Sequence, residues 1–182
     1  MKSFARTLFL AAAGTLAAAS ALAADGPKSV ALVRAMRTDE IAVANAKLAF
    51  LGGNLTEQFG KTSSGCIKKV SYTEFTAGWA RVVDNFLKPP EIDTALAFYQ
   101  SPPGVKYVEG VVRRMRDRQG KESQLPEVRG KEEIAPAELA KISEFSSTDL
   151  GRKLGKDFLQ SPAALAWGRD MTEQIARKCG GK

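Results

Sequence analysis

Three ten-residue stretches of this chain share one layout: residues 98–107 read FYQSPPGVKY, residues 145–154 read FSSTDLGRKL and residues 158–167 read FLQSPAALAW. The first two carry Phe, a hydroxyl residue, Gly and Lys at the same offsets, namely Phe98, Ser101, Gly104 and Lys106, then Phe145, Thr148, Gly151 and Lys153. The third keeps Phe158, Ser161 and Pro162 but has Ala164 and Ala166 where Gly and Lys would fall. Such a unit reads as a joint between helices. One helix ends by burying its Phe, the Ser or Thr hydroxyl caps free N–H groups of the next, and Pro at the first helical position is pre-set for helical φ. A small residue inside the new helix lets its backbone come close to the helix before it. Repetition of such a joint commits the chain to helix–corner–helix packing.

The apolar residues around these joints repeat at helical spacing. Phe75, Trp79, Val82 and Phe86 fall three or four positions apart, which places them on one helix face. Ser71 and Glu74 form a capping box at its start and Pro89-Pro90 ends it. A helix beginning at Pro90 carries Ile92, Ala95, Leu96 and Tyr99, and one from Pro102 carries Val105, Val108, Val112 and Met115 before Gly120 closes it. Residues 120–135 lack periodicity and read as a surface loop. Helices resume near Pro136 with Leu139, Ile142 and Phe145, followed by Leu150, Leu154 and Phe158, then by Leu165, Met171 and Ile175. Residues 28–51 read as helical until Gly52-Gly53 breaks the pattern. No run alternates in the manner of a strand. The expectation is an all-α, compact bundle of about six or seven short helices.

The first residues look like an address. Met1 to Ala24 supply Lys2 and Arg6 as a positive start, an apolar Ala-rich run from Leu8, and the small-residue pattern Ala21-Leu22-Ala23. This predicts a signal peptide, residues 1–23, removed to leave residues 24–182 as a single helical domain. Its loss lowers the formal net charge from +7 to +5. No later stretch approaches the ~18 consecutive apolar residues of a membrane span, so none is expected after cleavage. An Ala-rich leader on a chain of this length points to a Gram-negative periplasm, where the Asn54-Leu55-Thr56 sequon would carry no glycan.

Both cysteines lie beyond the leader. In an oxidising compartment two thiols with no C-x-x-C spacing are most simply one structural disulfide, Cys66 to Cys179. The alternative is a reactive or intermolecular thiol.

The run TALAFYQSPPGVKYVE, with LAKISEFSSTDLGRKLG as a second version, resembles the FY-x-S-P-x-G-x-K signature of a family of secreted bacterial helical proteins called domain of unknown function 2059. The resemblance covers residues 94–109 closely. Here Val105 stands where that signature usually has Gln, and the repeat continues beyond it. The resemblance implies an all-α periplasmic domain. The family has no assigned reaction, so the resemblance brings no catalytic residues with it.

The chain has no histidine, which removes Ser/His/Asp and Cys/His nucleophilic systems, the H-E-x-x-H helix and histidine zinc sites. Any enzyme would have to work through carboxylates, for example as a cell-wall (peptidoglycan) hydrolase with two acids across a cleft. Glu74, Asp84, Glu91, Asp93 and Glu109 are the candidates, and all five also read as ordinary capping and surface acids. No cofactor motif and no metal-ligand spacing is present, so none is expected.

Two basic features could bind anions. Lys106 and Lys153 occupy equivalent places after their glycines and could grip a phosphate or glycan carboxylate, although they also read as solvated first-turn residues. Arg113, Arg114, Arg116, Arg118 and Lys121 cluster around Asp117. At a helix C-terminus such cations complement the macrodipole, and they could equally rest on lipid headgroups, a glycan or an acidic partner. Nucleic acid fits the charge but not the expected compartment. The function expected is therefore a non-enzymatic envelope interaction or ligand-binding module whose partner is an envelope protein, lipid or glycan.

Overall fold

A computed structural model describes residues 27–120, 123–130 and 133–180; the predicted signal peptide and Lys121 lie outside them. The chain forms helices α1 (Lys28–Met36), α2 (Thr38–Leu51), α3 (Thr56–Phe59), α4 (Ser64–Lys69), α5 (Thr76–Phe86), α6 (Pro89–Tyr99), α7 (Pro102–Gln119), α8 (Pro136–Ser147), α9 (Asp149–Arg152) and α10 (Pro162–Cys179). Short 3-10 turns cover Tyr72–Glu74 and Phe158–Gln160, and a π turn covers Lys153–Asp157. Seven of the ten α-helices have nine residues or more. Among the described residues there is no strand, only an isolated bridge between Thr62 and Gly180. The all-α expectation therefore holds, and no described helix is long and apolar enough to cross a membrane.

Helix α1 is the centre of the packing, lying on α5 and α6, while α10 closes over α5 and α4. Its Leu32 and Val33 are fully buried. Around them pack Phe75, Trp79, Val82 and Val83, with Ile92, Ala95 and Tyr99 from α6 and Met171 and Ile175 from α10. Phe158 joins this core edge-on to Phe86, ring centroids 5.4 Å apart. Three residues with core spacing point elsewhere: Val105, Leu139 and Leu165 are exposed.

The stretch 28–51 is two helices and not one. Arg37 breaks it with φ 54°, a left-handed conformation that is uncommon for a side chain other than Gly. No Gly or Pro marks the spot. The break is held by tertiary contacts of the Arg37 side chain, described below. Ser71 and Glu74 do form a capping box, with Thr73 N–H donating to Ser71 Oγ and Ser71 N–H to Glu74 Oε1, both at 3.3 Å. It closes the 3-10 turn that feeds α5.

The three joints are built as their sequence implies. Ser101 Oγ donates to Phe98 O at 2.6 Å and accepts from Gly104 N–H at 3.3 Å. Thr148 Oγ1 repeats both bonds, to Phe145 O at 2.6 Å and from Gly151 N–H at 3.0 Å. Ser161 Oγ accepts from Ala164 N–H at 3.2 Å. A Cβ at Gly104 or Gly151 would stand 2.0 Å from the carbonyl oxygen of Phe98 or Phe145. The obstacle is backbone, so it cannot swing away. At the third joint a 3-10 turn precedes the corner in place of an α-helix, and the position holds Ala164.

The first two joints also pack on each other. Phe98 and Phe145 stack with centroids 3.8 Å apart and planes 8° from parallel. Each joint lends its lysine to the first turn of the other unit. Lys106 Nζ donates to Glu138 at 2.8 Å, and Lys153 Nζ donates to Glu91 at 3.0 and 3.1 Å. Both glutamates also accept the N–H that opens their own helix, from Ala135 and Lys88. Glu91 and Glu138, like Lys106 and Lys153, stand 47 positions apart, so α6–α7 and α8–α9 form two halves related by a near two-fold exchange.

Two predictions arise here. Gly151→Ala is expected to cost about 1–3 kcal/mol by overpacking, whereas Gly168→Ala, whose Cβ would meet nothing within 4 Å, is expected to gain about 0.5–1 kcal/mol from helix propensity. Urea denaturation of the pair reads the opposite signs. The second concerns pH. Glu138 is held below its ordinary value of 4.5 first by Lys106 and then by the Ala135 N–H, and Glu91 first by the Lys88 N–H and then by Lys153. A depressed carboxylate contributes stability that is present above its unfolded pKa and is lost as pH falls through the folded one. The small stability gap between the parent and a Lys106→Met/Lys153→Met variant should therefore be steady near neutral pH and close on acidification below pH 4.5. A gap that stays constant to pH 3 in denaturation curves contradicts it.

Candidate functional site

Helix α7 presents one stripe at helical spacing: Pro102, Val105, Lys106, Glu109, Gly110, Arg113 and Arg114. The chain leaving α7 returns alongside it, and Arg129, Gly130, Glu133 and Ile134 form the opposite wall. The space between is a cleft of about 680 Å³. A second chamber of about 400 Å³ adjoins it, walled by Ala31, Arg34 and Ala35 of α1 with Tyr99 and Val108. Gln100, Val105, Glu109 and Arg129 line both, so the two chambers form one trough.

Under the trough lies a buried charge network. Arg37 is 2% exposed. Its Nη1 donates to Glu109 Oε1 at 2.7 Å, and its Nε and Nη2 donate to Glu40 Oε2 at 3.0 and 2.8 Å. Glu109 Oε2 accepts the Arg129 N–H at 2.7 Å, and Arg129 Nη2 reaches Glu40 Oε1 at 3.3 Å. Arg37 Nη2 also donates to Glu127 O at 3.3 Å. This network joins the α1–α2 corner, the middle of α7 and the returning segment. Both oxygens of Glu109 are engaged, so the one carboxylate on the floor shared by the chambers is neutralised from beneath. Beside it, Asp39 is buried with its oxygens accepting from Thr76 Oγ1 at 2.5 Å and Glu40 N–H at 2.9 Å. Burial raises its pKa despite those two bonds.

The basic cluster expected from sequence is divided by the fold. Arg113 and Arg114 are exposed and line the cleft, Arg113 Nη2 donating to Gly130 O at 3.0 Å. Arg116 serves the scaffold: its Nη1 donates to Leu125 O at 3.0 Å and Pro126 O at 2.9 Å, pinning the returning segment. Arg118 is exposed in the last turn of α7 and does not line the cleft. The fold adds Arg34 and Arg129, which sequence reasoning missed: one sits on an ordinary helix face and the other in a segment without periodicity. Lys106 lies in the cleft wall but is braced by Glu138 and by Glu133 O, and Lys153 is braced by Glu91 and covers the Phe86 ring at 5.0 Å.

Four of the five candidate acids are held by separate cations: Glu74 by Lys178, Glu91 by Lys153, Asp93 by Lys28 and Glu109 by Arg37. Asp84 is exposed on α5. Lys178 and Lys153 help hold Glu74 and Glu91 below the usual carboxylate range, the opposite of what a general acid needs. Among the described residues no three acids or thiols gather as a metal site. Elsewhere, a mostly apolar groove of about 460 Å³ runs between α2, α3 and α10 under the exposed Leu159 and Leu165.

Among the described residues the fold is all-α and carries a cationic trough. Comparison with protein-family models, with curated proteins and with solved structures gives no match.

Proposed function

We propose that this protein is a non-catalytic, exported ligand-binding module of the bacterial envelope, taking an anionic ligand in the trough between α7 and the wall formed by Arg129, Gly130, Glu133 and Ile134. The observation that carries the reading is the convergence of Arg113, Arg114, Arg129 and Arg34 on one concavity whose floor carboxylate, Glu109, is already neutralised by Arg37. Among the described lining residues Glu133 is the remaining acid. A concavity of this size suits a small molecule, and guanidinium groups are forked donors for phosphate or carboxylate. The leader-like N-terminus and the resemblance of residues 94–109 to a secreted helical family support export. The separate pairing of the candidate acids favours binding over glycan hydrolysis.

The test is titration of the protein with inorganic pyrophosphate, followed through the backbone amides of Arg129 and Gly130. Arg113→Gln/Arg114→Gln should weaken binding at least about tenfold, since each charge-assisted hydrogen bond contributes ~1.5–3 kcal/mol, and should leave the urea midpoint unchanged because both side chains are exposed. Equal binding by parent and variant overturns the site. Release of muropeptides from peptidoglycan by the parent chain overturns the non-catalytic reading.

A further inference from the structure

We infer that the ligand of this trough carries two separate anionic groups, one held by Arg113 and Arg114 in the larger chamber and the other by Arg34 in the smaller; the inference rests on the anion-binding reading above. Arg113 and Arg114 line the larger chamber and not the smaller, and Arg34 lines the smaller and not the larger. All three side chains are exposed. Those of Arg34 and Arg114 make no hydrogen bond or ion pair among the described residues, and Arg113 gives one N–H to Gly130 O at 3.0 Å. A guanidinium carries five N–H donors in a planar fork, so donors remain at both ends for an anion. The charges between those ends are already matched within the protein. Glu109 and Arg129 line both chambers, with the uncharged Gln100 and Val105. Arg37 and the Arg129 N–H take both oxygens of Glu109, and Arg129 Nη2 turns to Glu40 at 3.3 Å. Arg37 also lines the smaller chamber, but Glu40 and Glu109 hold its guanidinium. Glu133, the remaining acid of the larger chamber, stands beside Lys106, whose Nζ donates to its carbonyl at 3.3 Å, and Lys106 lies two helical turns from Arg113. One compact anion would serve one end and leave the other without a partner. A molecule with an anion at each end serves both, because its second group arrives at the high effective concentration that a linker sets. Unmatched cations at two ends with matched charge between them therefore select an extended dianion.

The full chain, expressed with its N-terminal segment, would be titrated calorimetrically with three phosphonates. Octane-1,8-bisphosphonate has an anionic group at each end of its spacer, octylphosphonate has the same chain with one such group, and methylenebisphosphonate has both groups without the reach. Octane-1,8-bisphosphonate is expected to bind at least about tenfold more tightly than octylphosphonate. Arg34→Gln should remove that advantage and should weaken methylenebisphosphonate by less than about threefold. Arg113→Gln/Arg114→Gln should weaken both bisphosphonates at least about tenfold. The three positions are exposed and Gln suits a helix about as well as Arg, so folding is preserved, and the urea midpoint of each variant checks it. Given the advantage, decanedioate bound as tightly as octane-1,8-bisphosphonate or more so assigns the natural ends to carboxylates, and weaker binding of decanedioate assigns them to phosphate groups; either supports the inference. Equal affinity for octane-1,8-bisphosphonate and octylphosphonate overturns the inference and leaves the anion site standing, as does an Arg34→Gln variant that keeps the advantage. A loss in Arg34→Gln that is equal for the two bisphosphonates makes Arg34 a diffuse charge and not a second anion site, and overturns it as well. Failure of every phosphonate to bind overturns the anion-binding reading itself.

Discussion

Replacing Arg37 with Met is expected to destabilise the fold by about 3–5 kcal/mol, the usual cost of removing one partner from a buried charge network. Met keeps much of the volume but donates nothing. Glu40 and Glu109 are both 7% exposed, and in the variant each would lose its bonds from the Arg37 guanidinium. Arg129 cannot replace it. Its own side chain is largely exposed and meets Glu40 at 3.3 Å, where solvent screens the charge. The positive φ of Arg37 adds to the argument, since a non-glycine residue keeps that conformation when its surroundings demand it. Urea denaturation of the protein reads the loss. Adding Glu40→Gln and Glu109→Gln should recover more than half of it, because no charge then remains buried without a partner. A loss below about 1 kcal/mol for Arg37→Met would show that the network is solvated and not a tie between α1, α2 and α7.

The second large effect is expected from the disulfide. Cys66 and Cys179 are bonded with Cα atoms 5.4 Å apart and stand 113 positions apart in sequence. Cross-linking so long a loop removes entropy from the unfolded chain, worth about 4–5 kcal/mol in the chain-entropy model. The native ends would stay near each other without it, because Ser63 N–H donates to Cys179 O at 2.9 Å and Thr62 bridges Gly180. Cys66→Ser/Cys179→Ser should therefore keep the helical content of the parent and lose that stability in urea. The same loss should follow when the parent is reduced. For a domain whose total is of order 5–15 kcal/mol, the bridge separates a robust fold from a marginal one. A denaturation midpoint indifferent to reductant would overturn this account.

How much of this was written in the order of the residues depends on the range over which each feature is decided. The corners were legible because every part of them is local. Ser101, Thr148 and Ser161 each bond an N–H three positions on, and Gly104 and Gly151 meet the carbonyl of the helix just before. The apolar spacing of Phe75, Trp79 and Val82 predicted a buried face for the same reason, since one helix turn sets it. The disulfide was legible from having only two cysteines. The trough was half legible: Arg113 and Arg114 stood out as a cluster, while Arg34, Arg37 and Arg129 did not.

Sequence alone thus determined the helical class, the corners and the bridge, features set by neighbours within a few positions or by arithmetic. Tertiary structure alone decided the break at Arg37, the exchange of Lys106 and Lys153 between the two halves, and the division of the arginines between scaffold and trough. Each of those rests on charges brought together from distant segments. Arg37 meets a glutamate 72 positions away, and Lys153 one 62 away. A charged side chain looks the same in sequence whether it will face water or a buried partner, and the partner exists only after the apolar faces have packed.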